Sequence, residues 1–86
     1  MESVATTVAA VRAVLAKHGR LASLDSLSDN ADLFAAGLDS FGMINVMMAL
    51  EERFDIEFKG DALSRRSFSS VASLSAAVQA LQGEQV

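Results

Sequence analysis

FAAGLDSFGMINVMMALEERFDIEF, residues 34–58, decides how this chain is read. Its opening residues show no sustained period and lead to Asp39 and Ser40, two residue types that cap helices. The residues after them are helical. At about 100° per residue, Met43, Val46, Met47, Leu50 and Phe54 fall on one side of a helix from Ser40 to about Phe54. Phe41, Ile44 and Met48 fall on the opposite side, with Asn45, Glu52 and Asp55 beside them. A helix at the side of a small bundle buries one stripe. The second stripe is either covered by leucines of the preceding loop or exposed as a docking surface rimmed by acids. Periodicity leaves both open, although the adaptable thioether of methionine suits a surface that meets several partners.

Upstream, Val4, Val8, Val11 and Leu15 form one helical stripe, leaving Glu2, Thr6, Arg12 and Lys17 for solvent. This first helix spans about residues 3–18, and Gly19 suits a left-handed C-terminal cap. Residues 20–39 lack a period. Leu21, Leu24, Leu27, Leu33, Phe34 and Leu38 are scattered there among Ser, Asp, Asn and Gly, and they pin a long loop across the helix ends. Downstream, "DIEF" reads as extended, and "GDALSRR" makes a short helical turn starting at Asp61. Ser69 or Ser70 caps a last helix whose core stripe is Val71, Leu74, Val78 and Leu81, with Gly83 at its end. The expectation is an all-α, four-helix bundle: three longer helices, a short third one, and a long loop between helices one and two.

At 86 residues the chain is one domain, residues 1–86, close to the lower limit for folding without staples. It has no cysteine, so disulfides and cysteine-ligated zinc are excluded and helix packing must supply the stability. A net charge of −4 argues against nucleic acid. It favours partners with basic docking surfaces. The N-terminus lacks the cationic and apolar pattern of a targeting segment. No apolar run approaches the ~20 residues that span a bilayer. A cytoplasmic protein that does not engage the membrane is expected.

Three roles are open to Ser40. It can be an N-cap, although Asp39 makes one of the two redundant for that purpose. It can be a nucleophile, but "GLDSF" does not complete a G-x-S-x-G elbow, and the sole histidine, His18, ends the first helix, where it suits the dipole. Glu51 and Glu52 read as a solvated pair, and no spacing of acids suits a metal. The third role fits better. A hydroxyl at a helix N-terminus is a good place to attach a phosphodiester, since the free N–H groups and the dipole favour an anion there. A separate transferase then activates the serine, and the chain needs no catalytic residue of its own.

"DLF-x-x-G-L-D-S" followed by "ALEE-x-F-x-I-E" resembles the acyl carrier and peptidyl carrier protein superfamily, closely from Asp32 to Phe58. The resemblance implies a right-handed four-helix bundle in which Ser40 receives 4′-phosphopantetheine from coenzyme A through a magnesium-dependent phosphopantetheinyl transferase. It implies that Asp39 engages that transferase, and that the arm's thiol holds an acyl or aminoacyl group as a thioester. Phe41, Ile44 and Met48 match the family's apolar recognition positions, and Glu51 and Glu52 its acidic ones. Phe41 replaces the usual leucine, and Gly42 and Asn45 stand where fatty-acid carriers place acids. Arg65 and Arg66 are partner contacts or solvated charges. "GLDSF", "FDIEF" and "L-x-R-x-SF-x-S" are similar to stand-alone bacterial carriers loaded with an amino acid by ligases related to truncated aminoacyl-tRNA synthetases. The implied protein is a monomeric, non-enzymatic carrier whose partners are that transferase, a loading ligase and a downstream transferase or synthase. The alternatives are a discrete carrier for fatty-acid, polyketide or nonribosomal peptide synthesis, and an interaction-only helical domain.

Overall fold

Three amphipathic segments become helices in a computed structural model that describes residues 4–21 and 23–83: α1 (Val4–His18), α2 (Ser40–Phe54) and α3 (Val71–Gly83). No strand occurs among the described residues. α1 packs against both α2 and α3. Val11, Val14 and Leu15 of α1, Val46, Leu50 and Phe54 of α2, and Val71, Leu74, Val78 and Leu81 of α3 meet in one core. The expected stripes therefore face the core, with Val8, Met43 and Met47 only partly buried at its edge. The start of the first stripe, with Glu2 and the Val4 side chain, lies outside the described residues.

Two expectations for α1 change. Arg12 is not a solvated residue. Its guanidinium donates to the Leu24 and Leu27 carbonyls at 3.2 and 2.7 Å and to Asp29 Oδ1 at 2.7 Å, fastening the long loop to the helix. Gly19 is not the left-handed residue either; Arg20 takes that conformation, with φ 60°. Glycine is required at position 19 for space, since a Cβ there would lie 2.7 Å from the Leu15 carbonyl oxygen. Both requirements select glycine, so the residue type alone could not separate them.

The loop is ordered by specific bonds. Leu33 N–H donates to the Ser69 carbonyl and Ala72 N–H to the Asp29 carbonyl, tying the loop to the start of α3. Asp32 Oδ1 accepts from the Phe34 and Ala35 N–H groups, opening one tight turn. Leu38 N–H to the Leu33 carbonyl and Gly37 N–H to the Phe34 carbonyl, with Gly37 at φ 119°, close that turn as a Schellman pair. Leu33 and Leu38 go into the core at either end of it. "DLFAAGL" is thus a clamp that delivers Asp39 to the head of α2.

Beyond α2, Asp55 caps the helix in the left-handed region, and Ile56 and Phe58 point inward with Asp55, Glu57 and Lys59 outward. The alternation expected of an extended segment is present without a partner strand. The expected short third helix is not formed as such. A single 3-10 turn, Gly60–Ala62, stands there, matched by another at Leu24–Ser26 in the first loop. Serine hydroxyls compete for the backbone after it: Ser67 N–H donates to Ser64 Oγ, and Ser69 Oγ donates to the Arg66 carbonyl. Of the two candidate caps for α3, Ser70 serves. Its Oγ accepts from Ser73 N–H at 3.0 Å while Ser73 Oγ accepts from Ser70 N–H at 3.1 Å, a capping box with serine in the glutamate position.

Candidate functional site: the head and outer face of α2

Asp39 and Ser40 divide their work. Asp39 is the N-cap: its Oδ1 accepts the Gly42 N–H at 2.7 Å. Ser40 is the first helical residue, exposed, and outside the cap. Its hydroxyl has no hydrogen-bond partner among the described residues. The N–H groups of a helix's first turn lie around it, which suits an attached anion.

The second stripe is uncovered. Phe41 is 75% exposed, Met48 58% and Ile44 47%, values that a core position does not show. Leu24, Leu33 and Leu38 of the loop are in the core instead, so the loop does not cover this face. Asn45 and Glu52 are exposed beside it. Glu51 is different. It is half-buried, and its Oε2 accepts the Phe58 N–H at 2.9 Å, which holds the chain leaving α2. Arg65 is engaged too, its guanidinium carbon 3.8 Å from the centre of the Phe34 ring, while Arg66 is an exposed charge.

Sequence reasoning missed two features. Leu63 is 53% exposed, an apolar residue in the serine- and arginine-rich stretch that no period assigned to a core. Gly42 is buried where α2 meets the end of α1. A Cβ there would lie 2.9 Å from Leu38 Cδ1 and 3.0 Å from the Gly19 carbonyl oxygen. The departure from an acidic residue at position 42 is therefore steric. A carboxylate there would push into a glycine–glycine crossing.

Fold and site together define a small helical domain that presents one free serine hydroxyl beside an exposed apolar helix face. The chain belongs to the phosphopantetheine attachment site family, whose pattern matches residues 8–78. The group carried by that family is 4′-phosphopantetheine, and the free hydroxyl and open helix head of this chain fit it. Over 67 residues, 77% of this chain and 81% of the relative, it is 46% identical to an aminoacyl carrier protein from Agrobacterium fabrum. It also superimposes on a chain in the crystal structure of an engineered Bradyrhizobium japonicum glycine:[carrier protein] ligase complexed with carrier protein from Agrobacterium tumefaciens and AMP. That match has a TM-score of 0.79 at 44% identity and covers 84% of this chain and 97% of the other. The solution structure of a protein from Agrobacterium tumefaciens gives a TM-score of 0.73 at 40% identity, covering 91% and 95%. No helix among the described residues is long and apolar enough to cross a membrane.

Proposed function

We propose that this protein is an aminoacyl carrier in which Ser40 bears the 4′-phosphopantetheine arm. The observation that carries the reading is the division of labour at the head of α2: Asp39 satisfies the cap, and Ser40 is left exposed beside Phe41, Ile44 and Met48. When bound, the arm supplies a thiol that holds the cargo as a thioester. The chain's own residues do the rest. Ser40 offers its hydroxyl to a phosphopantetheinyl transferase, and Asp39, still exposed while capping, gives that enzyme and its metal a carboxylate to engage. Phe41, Ile44 and Met48 form the apolar patch that successive enzymes grip, with Asn45 and Glu52 on its rim. Glu51 and Arg65 shape this surface from behind, through Phe58 and Phe34, and Arg66 adds a free charge.

The aminoacyl subtype is supported by the 46% identity to an aminoacyl carrier protein and by the likeness to a carrier seen with a glycine:[carrier protein] ligase. The implied partners are a transferase, a loading ligase of that kind and a downstream acceptor enzyme. The carrier acts as a cytoplasmic monomer without catalysis of its own. The turns across residues 60–69 take the place of a short third helix in a four-helix bundle. The test is loading. Pantetheinylated protein incubated with ATP, glycine and the Bradyrhizobium japonicum ligase should gain a glycyl group that hydroxylamine releases. Loading by acyl groups alone would refute the aminoacyl subtype.

A further inference from the structure

A groove between α1 and α2 lies beside the apolar patch of α2, sharing Asn45, Met48 and Glu52 with it and extending away from Ser40 onto α1. It is an open trough of about 820 Å³ with a floor of small side chains, Ala10 and Ala13 from α1 and Ala49 from α2. Met48 forms one flank, so the trough shares an edge with the exposed stripe of α2. Ala10 and Ala13, three apart on α1, with Ala49 opposite them on α2, leave room for another backbone to approach closely, and an apolar floor calls for apolar side chains above it.

The rim sets the charge of the occupant. Lys17 and His18 stand at the end of α1, and Arg53 faces them from α2. Among the described residues the ion pair present is Arg12–Asp29, so neither Lys17 nor Arg53 is neutralised by a carboxylate. Arg53 has the Phe54 ring at 5.7 Å as its contact. Glu52 is the one acid among the lining residues. In a chain of net charge −4 this rim has the opposite sign to the whole. The apolar floor and the Glu52 carboxylate suit neither a phosphate backbone nor a purely ionic ligand.

We propose that the groove receives an acidic amphipathic helix of the enzyme that loads the carrier. Its apolar side rests on the alanines, its carboxylates meet Lys17 and Arg53, and His18 donates a hydrogen bond. The proposal rests on the loading reading and adds a second, oppositely charged contact next to the α2 face.

The test uses full-length pantetheinylated carrier and the Bradyrhizobium japonicum glycine:[carrier protein] ligase. Lys17→Glu combined with Arg53→Glu should raise KM for the carrier by about tenfold at low salt, the combined effect of two reversed contacts at a partly exposed interface. The kcat should be unchanged, and pantetheinylation should proceed as in wild type. Ala13→Leu, which fills the trough without altering charge, should raise KM as well. Wild-type KM should rise with salt. If both groove variants load with wild-type KM while Ile44→Asp does not, the loading reading stands and the groove proposal is overturned. If pantetheinylated wild type is not loaded at all, the loading reading falls and the occupant with it. Self-association of the carrier that the charge reversal abolishes would place a second copy in the groove and overturn the proposal.

Discussion

Replacing Asp39 separates its cap from the role proposed for it at the transferase. In Asp39→Ala the Gly42 N–H loses its 2.7 Å acceptor at a partly buried position. Removal of such a cap costs about 1 kcal/mol, within a range of about 0.5–2. Ser40 cannot take over without moving the helix start by one residue. That shift would pull Leu38 out of the core and disturb the Gly19–Gly42 crossing. With an m-value of about 1–2 kcal/mol/M for a small domain, 1 kcal/mol lowers the urea midpoint by about 0.5–1 M. In a thermal melt it corresponds to about 4–8 °C. Asp39→Asn keeps the acceptor oxygen and loses only the charge. It should cost no more than a few tenths of a kcal/mol, the helix-dipole share of the interaction. The transferase should be sensitive to both changes. Asp39→Asn should retain stability and still accept phosphopantetheine more slowly, because the carboxylate that engages the enzyme is gone. An Asp39→Ala protein as stable as wild type would refute the cap. An Asp39→Asn protein pantetheinylated at the wild-type rate would refute the second role.

The two faces of α2 should respond unequally: Phe54→Ala should cost about 3–5 kcal/mol as a core truncation, and Met48→Ala less than ~0.5 kcal/mol, both measured by denaturant unfolding. A large loss for Met48→Ala would mean that the outer face is packed. Gly42→Ala sets a helix-propensity gain of about 1 kcal/mol against overpacking of about 1–3 kcal/mol on Leu38 and the Gly19 backbone. A net loss is expected, and a more stable variant would show that the crossing can relax. Arg12→Ala, which frees two loop carbonyls and Asp29, should cost about 1–2 kcal/mol after allowance for its partial exposure; hydrogen exchange should show the loss concentrated in residues 24–29.

How much of the molecule was legible depends on the physics of each signal. The stripes of all three helices were readable because burial imposes a period, and the outer stripe of Phe41, Ile44 and Met48 was readable as surplus to it. Its exposure was not, since it depended on where the loop leucines went. Those were fixed by a local Schellman closure at Gly37 and by an arginine fork from Arg12, which reaches 12 to 17 residues along the chain and leaves no local pattern. Gly19 and Gly42 carried a strong residue signal with an ambiguous meaning. Only the crossing of two helix ends shows that close approach, not conformation, holds them. The third-helix region came out in part: a 3-10 turn, Gly60–Ala62, forms where a short helical turn was expected. The serines after it satisfy the backbone locally, so the segment goes on as turns. Glu51 and Arg65 looked like free charges because their partners, the Phe58 N–H and the Phe34 ring, lie in segments without a period.

The central claim, that Ser40 bears the arm, is tested most directly by intact mass spectrometry after incubation with coenzyme A and a broad-specificity phosphopantetheinyl transferase. Wild type should gain the mass of one phosphopantetheine, and Ser40→Ala should gain nothing while unfolding as wild type does. An unchanged wild-type mass, or a gain that persists in Ser40→Ala, would contradict the account.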